Sequence, residues 1–390
     1  MTGFALVAVS LWLITLLLPW RPWSTRERIE PVDSSDHIER GAAGSVSVLI
    51  PARNEAATLG QTLDAVAKQA GVVDVVVVDD RSEDETAAIV ATFVETNVAT
   101  PVATSARGMP GVRVIKGRPT PPGWTGKLWA QQQGLEAIDS PLVLLIDADI
   151  RLAPGMLDAL VDKLEHERLD QVSVMASLPA SSWPEKLMLP AFVYFFKQLY
   201  PFAWVNRTDR PFSAAAGGCV LVRREILRKA GAFSAWKGAL IDDCELACRV
   251  RNAGGRIWLG LSRGVESMRR HPDLPSILET VRRTAYTQLR YSRLLLLAVV
   301  AMMLVAFAIP PFATVLGLLT RDPVLAGSGL AGWLLMALSF LPQVRFSGLT
   351  ALWALALPLS AMLFLVATMD SAIRHHYGRG AGWKGRHYQR

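Results

Sequence analysis

Three nearly unbroken apolar runs, SVSVLIP (45–51), VDVVVVDD (73–80) and LVLLIDAD (142–149), each lead straight into acidic residues. Short runs of this kind, without polar alternation, suit strands buried on both faces, as in a parallel sheet covered by helices. In such sheets the loops leaving the C-terminal strand ends form the ligand crevice. The acids therefore gather where an α/β fold does its chemistry. Asp147 and Asp149 lie two positions apart, so continued strand alternation predicts that both point to one face and share a divalent cation. A phosphate-bearing ligand fits such a cation.

Helical patterns alternate with these runs. Leu59, Leu63, Val66 and Ala70 recur at helical spacing after the first strand. Ser82-Glu83-Asp84-Glu85 reads as a capping box opening a second helix. A strand at 112–116 leads into RPTPPGWTG, after which Thr125 is placed to cap a helix carrying Lys127 and Trp129. Further on come a helix at 154–167, a strand at 172–178, and an aromatic-rich segment at 183–204 that suits either an interfacial helix or ordinary core packing. Residues 99–111 read as a surface loop.

Composition adds a membrane. Half of the residues, 51%, are hydrophobic, which is high for a soluble chain. Residues 4–20 contain no charge, and a second apolar region, 294–369, is interrupted only near Arg321-Asp322 and Arg345. Runs of about 20 apolar residues cross a bilayer. A cleavable leader wants a basic residue before its apolar core; here Arg21, Arg26 and Arg28 follow it, which predicts an uncleaved anchor with the next segment in the cytoplasm. The net charge of +7 comes from 41 basic and 34 acidic residues. Many of the basic residues flank apolar segments, which favours anionic headgroups over nucleic acid. Cys219, Cys244 and Cys248 lack the companions of a zinc set and read as reduced thiols.

The predicted organisation is an anchor at 1–22, a linker at 23–44, a cytoplasmic α/β domain at 45–290, a transmembrane region at 291–370 and a basic tail at 371–390. Three full crossings after the domain would carry that tail outside, against the positive-inside tendency. Pro310-Pro311 interrupts the first C-terminal run, so the expectation is that 294–319 dips in without crossing.

In the order PARNE, VVDDRSEDET, GWTGKLWA, LLIDAD, GGCVLVRRE and IDDCEL, residues 45–270 resemble a family 2 glycosyltransferase of the GT-A fold. That is a nucleotide-diphospho-sugar transferase with a Rossmann-like, mostly parallel sheet. PPGWTGKLWAQQQG and the flanking apolar segments are similar, more narrowly, to the hopene-associated glycosyltransferases of bacterial hopanoid gene clusters.

The resemblance implies a membrane-bound, inverting enzyme of the bacterial inner membrane. It would move one sugar from a nucleotide-diphosphate donor, UDP-linked in expectation, to a lipid acceptor, with Mg2+ or Mn2+ as cofactor and no nucleic-acid partner. It places Pro51, Arg53, Glu55, Asp80, Lys127 and Asp147 around the nucleotide sugar. Asp147 and Asp149 would hold the metal, and Asp243 would act as the base. Gly217, Gly218, Asp242 and Arg290 would position donor or acceptor.

Several of these residues also have plainer explanations: loop capping for the acids at strand ends, a solvated helix lysine for Lys127, and acids decorating a helix N-terminus for Asp242 and Asp243. Arg53 stands where many relatives carry a base-stacking aromatic. Gln288-Leu289-Arg290-Tyr291 departs from the Gln-x-x-Arg-Trp of polymer-extruding relatives, which argues against processivity. A polyprenyl-phosphate or ceramide-type acceptor, and a non-enzymatic scaffold, are the alternatives.

Overall fold

The computed structural model describes residues 1–32, 45–99, 110–377, 382–383 and 386–387. Most of the loop read at 99–111, and parts of the linker and tail, lie outside the described residues. The chain forms two compact units: residues 27–177 with 204–269, and residues 1–26 with 178–203 and 270–390.

The first unit is built on eight strands: β1 (Val46–Ala52), β2 (Val72–Asp79), β3 (Gly111–Lys116), β4 (Leu142–Ile146), β5 (Ile150–Leu152), β6 (Gln171–Ser177), β7 (Cys219–Arg223) and β8 (Ile257–Ser267). Their order is β3-β2-β1-β4-β7-β6-β8-β5. β3, β2, β1 and β4 are mutually parallel, as the apolar runs predict. β7 then runs antiparallel to β4 and β6, and β5 antiparallel to β8, so the sheet is mixed. Val48, Ile50, Val75, Val77, Leu144 and Val172 are fully or almost fully buried in one core with Leu59, Leu63 and Leu160 from the covering helices. Each such side chain contributes about 1.5–3 kcal/mol on burial.

Thr125 does cap the Gly126–Glu136 helix, its hydroxyl accepting from Leu128 N–H. The cap predicted at Ser82 falls elsewhere. The helix begins at Thr86, with Asp84 accepting from Thr86 N–H, while the Ser82 hydroxyl accepts from Asn54 N–H across the loop.

The second unit is helical. Three segments, Arg293–Thr320, Pro323–Phe346 and Ala351–His376, are long and apolar enough to cross a membrane. A shorter apolar helix spans Thr2–Leu17. The break expected at Pro310-Pro311 does not occur: Arg293–Thr320 is helical throughout, with a π-helical turn at Leu304–Ala308 immediately before the prolines. Pro310 and Pro311 have no N–H to give the Ala306 carbonyl in α or π geometry. Trp12 Nε1 donates to it instead, at 2.9 Å. The helix keeps its course because another helix supplies the missing donor.

The aromatic segment becomes the helix Trp183–Leu199, opened by a full Ser182/Glu185 capping box. Its inner face is core: Tyr194 packs edge-on against Phe340, and Phe195 against Phe307 and Phe364.

Candidate active site

The acid-bearing turns after β1 and β2 are held from within. After β1, Arg53 is buried and its guanidinium donates to the carbonyls of Asp80 and Arg81, each at 2.8 Å, while reaching Glu83 at 3.3 Å. Arg53 is thereby a pin across two strand ends. Asp79 accepts from Ser82 N–H, the loop-capping role. Asp80 is 2% exposed, and its own N–H donates to Ala52 O. Pro51 is the penultimate residue of β1, paired with Val78.

Asp147 and Asp149 depart from expectation. β4 ends at Ile146 and the backbone turns, closed by Ile150 N–H donating to Asp147 O at 3.1 Å. Strand alternation therefore stops before the pair, and the two carboxylates take different partners. Asp147 meets Lys127 Nζ at 2.9 Å. Asp149, almost buried, meets Arg269 Nε at 3.0 Å and accepts from the Ser267 hydroxyl. Among the described residues no three His, Cys, Asp or Glu side chains gather as a metal set.

Lys127 is the hub of the first cluster. The capped helix start presents it to Asp147 and, at 3.3 Å, to Asp242. Burial works against its charge, but Asp147, Asp242 and Asp243 outweigh burial and hold its pKa above the ordinary lysine value. Asp242 and Asp243 open the helix Asp242–Asn252, where the positive end of the helix dipole favours acids. Asp243 accepts from Gly217 N–H at 2.9 Å and from Cys244 N–H at 2.8 Å. Burial and neighbouring Asp242 push its pKa up to about 6, against the opposing pull of Lys127 and those two hydrogen bonds.

Gly217 has no room for a side chain without pressing on this pair. A Cβ there would lie 3.3 Å from Asp243 Cβ and 3.5 Å from Lys127 Nζ. Gly218 O accepts from Asp147 N–H, so the same dipeptide serves both acids. Arg290 belongs to the helical unit.

Arg269 was not among the residues the sequence singled out. It follows β8 in the stretch SMRR, and its guanidinium spans Asp149 and Glu55, the latter at 3.2 Å. These carboxylates raise its pKa against the cost of burial. A basic pair directly after a strand was the available signal, but the β5–β8 pairing that brings it to Asp149 is invisible in the sequence.

The arrangement joins a lysine locked among three acids, one of them with a carboxyl that titrates near neutrality, to a second basic side chain on an almost buried aspartate. A proton acceptor poised close to physiological pH is what general-base chemistry requires.

Residues 47–231 match the family description "Glycosyl transferase family 2", and residues 142–367, more than half of the chain, match "Glycosyl transferase family group 2". A curated relative, "Uncharacterized protein MT1568" of Mycobacterium tuberculosis (strain CDC 1551 / Oshkosh), is 32% identical over 137 residues, which is 35% of this chain and 37% of that protein. Among solved structures, the mannosyltransferase PcManGT from Pyrobaculum calidifontis, in complex with GDP-Man and Mn2+, aligns over 96% of this chain and 99% of its own with a TM-score of 0.52 at 17% identity. Glucosyl-3-phosphoglycerate synthase of M. tuberculosis aligns over 67% of this chain and 88% of its own at 20% identity, with a TM-score of 0.40.

Proposed function

Because the chain belongs to glycosyl transferase family group 2, we propose that its strand-end cluster transfers a single sugar, with inversion, from a nucleotide-diphosphate donor to a lipid hydroxyl. The observation that carries this reading is Asp243, held by two backbone N–H groups beside Lys127 with its pKa raised to about 6. In the transfer, Asp243 accepts the proton of the acceptor hydroxyl as that oxygen bonds to the anomeric carbon. The bond from that carbon to the diphosphate breaks on the opposite face, and the nucleotide diphosphate leaves. Lys127 holds Asp242 and Asp147 in place and keeps a positive charge beside the donor. Asp80, Glu55 and Pro51 face the nucleotide in this reading, with Arg53 fixing the loop that carries them.

The carboxylate oxygens of Asp147 and Asp149 suit a hard divalent cation such as Mg2+ or Mn2+, which takes one or two carboxylates and completes its shell with substrate phosphates. The two acids fit that role if a cation takes over from the ion pairs they make with Lys127 and Arg269, and those two basic side chains would then stand as counter-charges to the diphosphate. Bound there, such a cation supplies Lewis-acid neutralisation of the leaving diphosphate. The Mn2+ and GDP-Man of the P. calidifontis enzyme support this assignment.

The lipid acceptor rests on the apolar helices carried by the same chain. We read the acceptor as a hopanoid or its polyol side chain, the chain as lying in the bacterial inner membrane, and the strand-rich unit as facing the cytoplasm. Comparing the lipids of a deletion strain with its parent tests this. Disappearance of a glycosylated hopanoid supports it, loss of a glycosylated polyprenyl phosphate or ceramide-type lipid replaces the acceptor, and an unchanged lipidome with no sugar transfer by the purified chain overturns the enzyme assignment.

A further inference from the structure

The three long apolar segments of the helical unit do not have equivalent ends. Arg293–Thr320 and Pro323–Phe346 form an antiparallel hairpin packed through small residues. A Cβ on Gly317 would lie 2.3 Å from Ala326 N, and one on Gly329 would lie 2.4 Å from Thr314 N and 2.8 Å from Pro310 O. Such close approach of backbones is how helices associate within lipid. The hairpin turns at Arg321-Asp322, so Arg293 and Phe346 lie at its other, open end.

The third segment also finishes at that open end. The Tyr291 ring stacks on His375 with centroids 4.4 Å apart, and the Tyr286 hydroxyl donates to the Tyr291 carbonyl at 2.9 Å. Helix Leu274–Gln288 is tied to the same turns, with Arg374 on Glu279 at 2.9 Å and Arg282 on Asp370 at 2.7 Å. A third crossing that starts at Phe346 would have to finish at the Arg321-Asp322 turn. It finishes beside Tyr291.

The chain reconciles both ends by doubling back. After Phe346 a short 3-10 helix, Ala351–Ala356, packs along Pro323–Phe346 until Leu355 lies beside Trp333, whose Nε1 donates to the Leu355 carbonyl at 3.0 Å. Trp333 is near the middle of its helix. There the chain reverses, and Leu357–His376 climbs back as an α-helix. Pro358, whose position would close the next 3-10 bond onto Leu355, has no N–H, and the indole satisfies that carbonyl. Non-helical backbone at membrane depth persists only when its polar groups are met inside the protein. The bend still displays Leu352, Leu355 and Leu359, 76%, 39% and 56% exposed, a surface that suits lipid and not water.

We propose that residues 347–376 form a re-entrant hairpin, which enters one leaflet of the bilayer and returns, so that Arg293, Phe346 and His376 share one membrane face. Arg282, Arg290, Arg293, Arg345 and Arg374 collect at that face, whereas the opposite turn carries only Arg321 beside Asp322. The charge bias makes the arginine-rich face cytoplasmic. The tail returns to the cytoplasm, as the sequence predicts, but through the third apolar segment and not the first. This inference does not depend on the transfer reaction.

Single cysteines introduced in the full-length chain at Thr320, Leu352, Ser347 and Tyr377 test it. Right-side-out and inside-out membrane vesicles are treated with a membrane-impermeant maleimide, and labelling is read on the peptide carrying each new site, so that the three native cysteines do not interfere. Ser347→Cys and Tyr377→Cys label from one side, Thr320→Cys from the other, and Leu352→Cys from neither. Labelling of Tyr377→Cys from the Thr320 side restores a full crossing and overturns the proposal. Labelling of Leu352→Cys from the Ser347 side at the rate of Ser347→Cys puts the bend in water and overturns insertion into the leaflet.

Discussion

Lys127 and Arg269 each meet the strand-end acids, and they do so under different degrees of burial and of negative excess. Lys127 sits among Asp147, Asp242 and Asp243, three carboxylates around one ammonium. Arg269 is 45% exposed and bridges only Asp149 and Glu55. Where acids outnumber the base and water is scarce, one acid is driven towards its neutral form, and that acid is Asp243. Around Arg269 the acids also outnumber the base, but water has access, and the pairing organises side chains. On the proposed reading, the base owes its raised pKa first to burial and then to neighbouring Asp242, and both clusters would receive the donor.

The sharpest way to break this contrast is Asp243→Asn. The amide keeps the shape but cannot take a proton, so turnover falls by about 10²- to 10⁴-fold while donor affinity, measured by calorimetric titration, stays at the wild-type value. Asp242→Asn is milder. Near wild-type turnover in Asp243→Asn would falsify the assignment of the base.

Asp149→Ala acts on the other cluster. It abolishes the metal-dependent part of nucleotide binding with the fold intact, which titrating UDP and GDP with and without Mn2+ will detect. Equal metal dependence in mutant and parent sinks the metal assignment.

Lys127→Met shifts the balance itself. Asp243 serves as a base only when ionised, so wild-type turnover rises with pH through about 6 and is lost as the carboxyl protonates below it. Lys127 pulls that pKa down, so its removal moves the rising limb to higher pH and lowers turnover at neutrality. A pH profile that stays in place would show that Lys127 does not control Asp243.

Arg269→Gln is expected to weaken donor binding with no displacement of the pH profile, and Arg269→Lys recovers part of the loss, because a lysine keeps the charge but not the two-pronged geometry. A displaced profile in Arg269→Gln would erase the distinction between the clusters. The smallest effect is at Gly217→Ala. The added methyl meets Asp243 at 3.3 Å, a few tenths of an ångström too close, so turnover drops several-fold while thermal stability changes by about 1 kcal/mol or less.

What the sequence disclosed and what it withheld divide along the same physical line. Apolar runs ending in acids are local, and they located β1, β2, β4, Asp80 and Asp147. Thr125 was legible as a cap because capping involves residues three positions apart. That Asp147 and Asp149 take different basic partners was not legible, because it depends on where β4 stops and on the pairing of β5 with β8 that brings Arg269 close. Arg269 was hidden for the same reason. In the helical unit, apolar length marked the three long helices, but Pro310-Pro311 misled: the carbonyl that the prolines orphan is served by Trp12, far away in the chain.

The antiparallel return of β7 against β4 also governs when this protein becomes competent. Ile146 pairs with Cys219, so Gly217-Gly218 reaches the end of β4 only after the excursion between them has been made, and that excursion contains Trp183–Leu199, which belongs to the other compact unit. On the ribosome, where chains emerge N-terminus first, β1, β2 and β4 can pair early and Asp147 can meet Lys127, but its backbone N–H waits for Gly218 O. The helix carrying Asp243 emerges later still, and the hairpin that Trp183–Leu199 packs against comes last. On the proposed reading, the nascent chain therefore carries Asp80 and Asp147 before the helix that holds the base has been made, and the helical unit is completed after that.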